Sequence, residues 1–68
     1  MQTIINKLNN LKNTAIDIFE INTINKCIFE INNGKIDNLK KEIDFEIENY
    51  QQYINYMFFT ELKKAINN

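Results

Sequence analysis

One helical period runs through the second half of the chain and sets the terms for the rest. Apolar side chains recur at Ile36, Leu39, Ile43, Ile47, Tyr50, Ile54, Met57 and Phe58, mostly in steps of three or four. That spacing lines one face of an α-helix. No Gly or Pro interrupts it, and Leu, Lys, Glu and Gln fill much of what remains. The pattern predicts a long helix over residues 36–66. A rod of that length measures roughly 45 Å at about 1.5 Å per residue. It cannot bury its own stripe, so the first half of the chain, or a second copy, must cover it.

The first half predicts a shorter helical arm over residues 3–32. Ile4, Leu8, Leu11, Ala15, Ile18 and Phe19 fall within a sector of about 100°. Ile21, Ile24, Ile28 and Ile31 also share a face, turned by roughly 120° from the first. The change of phase predicts a break near residues 22–23, with Thr23 capping a new helix. Thr14-Ala15-Ile16-Asp17 also has the form of a capping box, a second place where the helix could restart. Asn33-Gly34 then closes the arm, because Gly just past a helix end adopts the left-handed conformation of the last turn. The turn is placed at residues 33–35, with Asp37 or Asn38 capping the long helix. The expected fold is all-α, a single small domain of 68 residues built as a helical hairpin or small bundle.

An α+β fold is the competing expectation. Phe-Glu-Ile occurs at residues 19–21, 29–31 and 45–47, and residues 18–22 repeat at 28–32. Residues i and i+2 share a face only on a strand. Glu42 to Glu48 alternates acid with Ile43, Phe45 and Ile47. Asn-Gly is also the favoured hairpin turn. A short β-hairpin or meander between two helices would follow. Against it, a hairpin centred on Asn33-Gly34 sets Glu30 opposite Asp37, a like-charge pair.

So short a chain has little core to spare, and the usual aids are disulfides, metal or self-association. A single Cys and no His exclude an internal disulfide and a Cys/His metal cluster, which leaves self-association. Ile and Asn each occur 13 times, and with Lys, Phe and Tyr they make up 42 of the 68 residues. These residues have A/T-rich codons, so the composition points to an A+T-rich bacterium, phage or plasmid. No apolar h-region follows the N-terminus and no run long enough to span a bilayer occurs. The expected setting is the cytoplasm.

The chemistry open to this composition is narrow. There is no His to titrate near neutrality, no Ser nucleophile and no Arg clamp for phosphate, and one Gly cannot cradle a phosphate. No enzymatic activity, cofactor or metal is expected. Cys27 reads as a small buried hydrophobe among Ile24, Ile28 and Phe29 rather than a nucleophile, since no base is present to activate it. Glu42, Asp44, Glu46 and Glu48 form the densest charge run, a solvated acidic face or a docking patch for a basic partner. Phe45, Tyr56 and Phe59 form a second aromatic stripe, opposite the main one and within about 60° of each other on the long helix. Grouped exposed aromatics mark interfaces.

The expected function is therefore non-enzymatic protein binding. The chain would be a homo-oligomeric regulator or inhibitor, acting for instance on a host defence protein. Phe45, Tyr56, Phe59 and the Glu42–Glu48 run are its candidate contacts. The alternative is a small dimeric nucleic-acid-binding regulator using Lys40-Lys41 and Lys63-Lys64.

Overall fold

The computed structural model describes residues 2–49 and 55–67. It contains four helices: α1 (Gln2–Asn13), α2 (Ile18–Asn32), α3 (Ile36–Asn49) and α4 (Tyr56–Ile66). They take up 85% of the described residues, which contain no strand. The fold is all-α, as the helical periods require. The Phe-Glu-Ile segments lie inside α2 and α3.

Each boundary has a local cause. Thr14 folds back at the end of α1, its hydroxyl donating to the Leu11 carbonyl at 3.0 Å. Asp17 then caps α2 from an extended conformation, its carboxylate accepting the Glu20 N–H at 3.0 Å. Glu20 reaches back and accepts the Ile16 N–H at 3.2 Å. This reciprocal pair satisfies donors that the first helical turn leaves free. The break in the first arm thus lies between residues 13 and 18, and the expected break near 22–23 is corrected. Thr23 sits within α2, its hydroxyl bonded to the Phe19 carbonyl at 2.7 Å, which satisfies it without interrupting the helix. Because α1 and α2 are separate, their apolar faces need share no phase.

The α2–α3 turn follows the expected chemistry. Gly34 has φ +74°. Its N–H bonds the Ile31 carbonyl at 3.1 Å, and the Lys35 N–H bonds the Glu30 carbonyl at 2.9 Å. This pair of bonds is a Schellman closure. The start of α3 differs from expectation. The Leu39 N–H bonds the Lys35 carbonyl at 3.1 Å, so the helix begins at Ile36. Asp37 is therefore an acid within the first turn, where the helix dipole favours it, and Asn38 follows it inside the helix.

The single helix over residues 36–66 is also corrected. α3 ends at Asn49, whose side-chain amide donates to the Phe45 carbonyl at 2.8 Å. α4 starts after Asn55, whose carbonyl accepts the Phe59 N–H at 3.0 Å. Asp44 of α3 meets Lys63 of α4 at 2.9 Å, an approach that one straight rod forbids. The longest dimension of the fold is 31 Å, well short of the ~45 Å rod.

One core joins all four helices. Leu8 of α1, Ile24, Cys27 and Ile31 of α2, and Leu39 and Ile43 of α3 are buried in it. α4 contributes most, with Phe58, Phe59, Leu62, Ala65 and Ile66. Their spacing of one, four, seven and eight residues from Phe58 sets all five on one broad face, which α4 turns to the interior. Met57, expected on the core stripe, is instead 69% exposed. Tyr50 and Ile54, its expected companions, lie outside the described residues.

Candidate protein-docking groove

The helical hairpin formed by α2, the Gly34 turn and α3 leaves an open groove of about 510 Å³ between its arms. Cys27, Leu39, Ile43 and Phe59 form its apolar base, and Phe19 of α2 and Phe45 of α3 stand at its edges. Phe19 is 44% exposed and Phe45 57% exposed. Phe19 is fixed from below by edge-on contacts to Phe58 and Phe59, each with ring centroids 6.3 Å apart. Phe58 and Phe59 lie 5.6 Å from each other. Such edge-to-face packing holds aromatic rings in defined orientations. The Phe19 ring thus presents part of its surface to solvent from a rigid seat.

The rim carries both signs of charge. Lys26 of α2 pairs with Glu42 of α3 at 3.6 Å across the groove, while Lys41 and Glu46 line the α3 side. Lys26 and Glu42 are more than half exposed, so their pairing contributes little stability. It does mark where the two helices approach one another.

The expected aromatic stripe does not survive as one surface. Phe59 is 8% exposed and belongs to the core, Tyr56 is half-buried, and Phe45 alone stands largely in solvent. The physical reason is that Phe45 lies on α3 and the other two on α4, so the three share no helix axis. The acidic run divides similarly. Glu42 and Glu46 face the groove, Asp44 turns to Lys63 of α4, and Glu48 is exposed. Asp44 Oδ1 is itself enclosed, and Lys63 holds it by charge contact rather than an aligned hydrogen bond. Among the described residues no three His, Cys, Asp or Glu side chains converge on a common point. Lys63 and Lys64 of the second basic doublet are engaged with Asp44 and Glu61.

Cys27 is 2% exposed. Burial pushes its thiol up from 9.0 to about 11, against an opposing pull from Lys26. A thiol held neutral is a poor nucleophile, so at the base of the groove it acts as apolar surface. Sequence reasoning placed Phe19 on the apolar face of the first arm, gave Lys41 only to the nucleic-acid alternative and did not single out Lys26. The signal for Phe19 was its position two residues past the Asp17 cap, which gives it α2's axis rather than α1's.

No helix among the described residues is long and apolar enough to cross a membrane. Comparison with family models, with curated proteins and with solved structures finds no match.

Proposed function

We propose that this chain is a non-enzymatic protein-binding module, acting as a regulator or inhibitor by occupying another protein surface through the α2–α3 groove. The observation that carries this reading is the pairing of Phe19 and Phe45, exposed at the edges of an apolar base within a fixed frame. Protein interfaces concentrate energy in a few aromatic anchors set in well-packed surroundings and ringed by polar groups. Phe45 fits that role: it is exposed, adjoins an apolar cleft, and is flanked by Lys41, Glu42 and Glu46. The mixed-sign rim also favours a protein surface over the uniformly negative surface of a nucleic acid.

The test is capture of bound protein, a second copy included, by tagged chain from its source cell after cross-linking. Wild type and Phe45→Glu are compared. The substitution is expected to abolish capture while leaving the helical circular dichroism unchanged, because Phe45 contributes little to the core. Equal capture by the two would overturn the reading.

A further inference from the structure

We propose that two copies of this chain exchange α4, each α4 seating in the core of the other copy, with α3 and α4 running on as one helix. The second copy then supplies Phe59 at the base of the groove, so the candidate site is completed by two chains. This goes beyond the protein-binding reading and does not depend on it.

The three joints between helices differ in how firmly they end a helix. The first is stopped by the reciprocal Asp17–Glu20 pair, with Asp17 in an extended conformation. The second is stopped by Gly34, whose φ of +74° lies outside the right-handed helical region. The start of α4 has neither device. Asn55 stands at φ −77° and ψ −6°, already right-handed helical, and its side chain caps no N–H. A helix start normally has an extended residue whose side chain binds a free N–H. After Gly34 the sequence contains no further Gly and no Pro, so nothing in its composition forbids a helix from continuing out of α3 into α4.

Continuation also satisfies backbone groups. The last carbonyls of one helix and the first N–H groups of the next have no partners within their own helices. On one helix these groups bond each other. On that helix Ile36, Ile43, Ile47, Phe58 and Ala65 would fall within a sector of about 60°, and all five belong to the core or pack against it.

The occupant follows from the fold itself. The seat of α4 already accepts Phe58, Phe59, Leu62, Ala65 and Ile66, and Asp44 of α3 receives Lys63 there at 2.9 Å. A second copy brings the same side chains to the same seat. Every contact made within one chain is remade between two, and no new complementary face is required. Exchange of an identical element is for this reason a low-cost route to a dimer.

The full chain is refolded from denaturant at a few micromolar and at several hundred micromolar, then sized by gel filtration with light scattering. The concentrated sample is expected to yield a dimer that persists for hours after dilution, because reversal requires α4 to leave the core. Gln52→Pro breaks a continuous helix and should give monomer alone, with helical circular dichroism retained. A second arm reads the exchange directly and holds even if Gln52→Pro fails to fold. Asp44→Lys and Lys63→Asp each bring like charges together within a closed chain. When the two variants are refolded together, an exchanged heterodimer sets the two reversed positions against each other and the two native ones likewise. Native mass spectrometry, with a tag on one variant, should show heterodimer several-fold above the statistical proportion. A dimer joined through any other surface keeps positions 44 and 63 in the same chain and gives the statistical proportion. That result overturns the proposal, as does wild type that stays monomeric after concentrated refolding, or a folded Gln52→Pro that dimerises as wild type does. Capture of a cellular protein through Phe45 is read separately, so failure here leaves the protein-binding reading standing.

Discussion

Phe59 and Phe45, two of the three phenylalanines that line the groove, should respond very differently to truncation. Phe59 is 8% exposed and packs on Phe19 and Phe58. A buried Phe covers about 150–250 Å², or roughly 4–6 kcal/mol gross at about 25 cal/mol per Å². Alanine keeps part of that, while the cavity and the lost ring contacts add to the penalty. The net cost of Phe59→Ala should be about 3–5 kcal/mol. A domain of this length holds only about 3–10 kcal/mol in total, so the variant loses most of its stability. Phe45 is 57% exposed, and Phe45→Ala should stay within about 0.5 kcal/mol in the monomer. Urea unfolding followed at 222 nm measures both, at several protein concentrations extrapolated to infinite dilution so that self-association drops out. With a slope of about 1 kcal/mol per M, Phe59→Ala should lower the midpoint by ~3 M or more. A cost below about 1 kcal/mol for Phe59→Ala would refute this placement of α4. Equal costs for the two variants would refute it as well.

Two further outcomes test the capping and the buried thiol. Asp17→Ala removes the acceptor of the Glu20 N–H and should cost about 1 kcal/mol, lowering the thermal midpoint by roughly 4–8 °C for a domain of this size; an unchanged midpoint would show that α2 does not start there. Cys27 titrates at about 11 folded against 9.0 as a free thiol. Above pH 9 the unfolded chain loses a proton that the folded chain keeps, so the thiol lowers stability as pH rises from 9 to 11. The loss at the top of that window is up to about 2–3 kcal/mol. Cys27→Ala should lack that part of the alkaline decline, and parallel declines in the two proteins would contradict it.

The helical character of the chain was legible because periodicity survives without any knowledge of packing. The division into helices was less so, for identifiable reasons. Ile47 and Phe58 are eleven residues apart, close to three full helical turns, so the apolar period continues from α3 into α4 whether or not the helix does. The repeat of residues 18–22 at 28–32 misleads in a related way. A ten-residue shift turns a helix by roughly 80° from register, so the copies cannot share an environment: Ile31 is buried and Ile21 exposed. Asn is abundant throughout the chain, and position gives individual copies work. Asn33, Asn49 and Asn67 each donate a side-chain amide to the carbonyl four residues earlier, at 2.7, 2.8 and 3.0 Å, at the ends of α2, α3 and α4. The start of α2 was written in Asp17-Ile18-Phe19-Glu20, an acid capping pair that a search centred on Thr14 and Thr23 passes over.

The candidate site shows the same dependence on axis. Placing Phe45, Tyr56 and Phe59 on one stripe requires that all three project from a common helix, since angular position has meaning only around a shared axis. Once α3 ends at Asn49, Phe45 is compared only with residues of α3. Its neighbours at the rim become Lys41, Glu42 and Glu46, and across the groove it faces α2, which carries Phe19. Phe59 then serves the interior because it lies on the same face of α4 as Phe58, Leu62 and Ile66, the face that packs into the core. The aromatic count in the second half of the chain therefore overstates the free aromatic surface, which on this helix reduces to Phe45. A single exposed ring is too small an anchor alone, so any partner must draw on what surrounds it. The acidic run from Glu42 to Glu48 does not supply it as a single patch, because the helix turns Glu42 and Glu46 to the groove and Asp44 to Lys63 of α4.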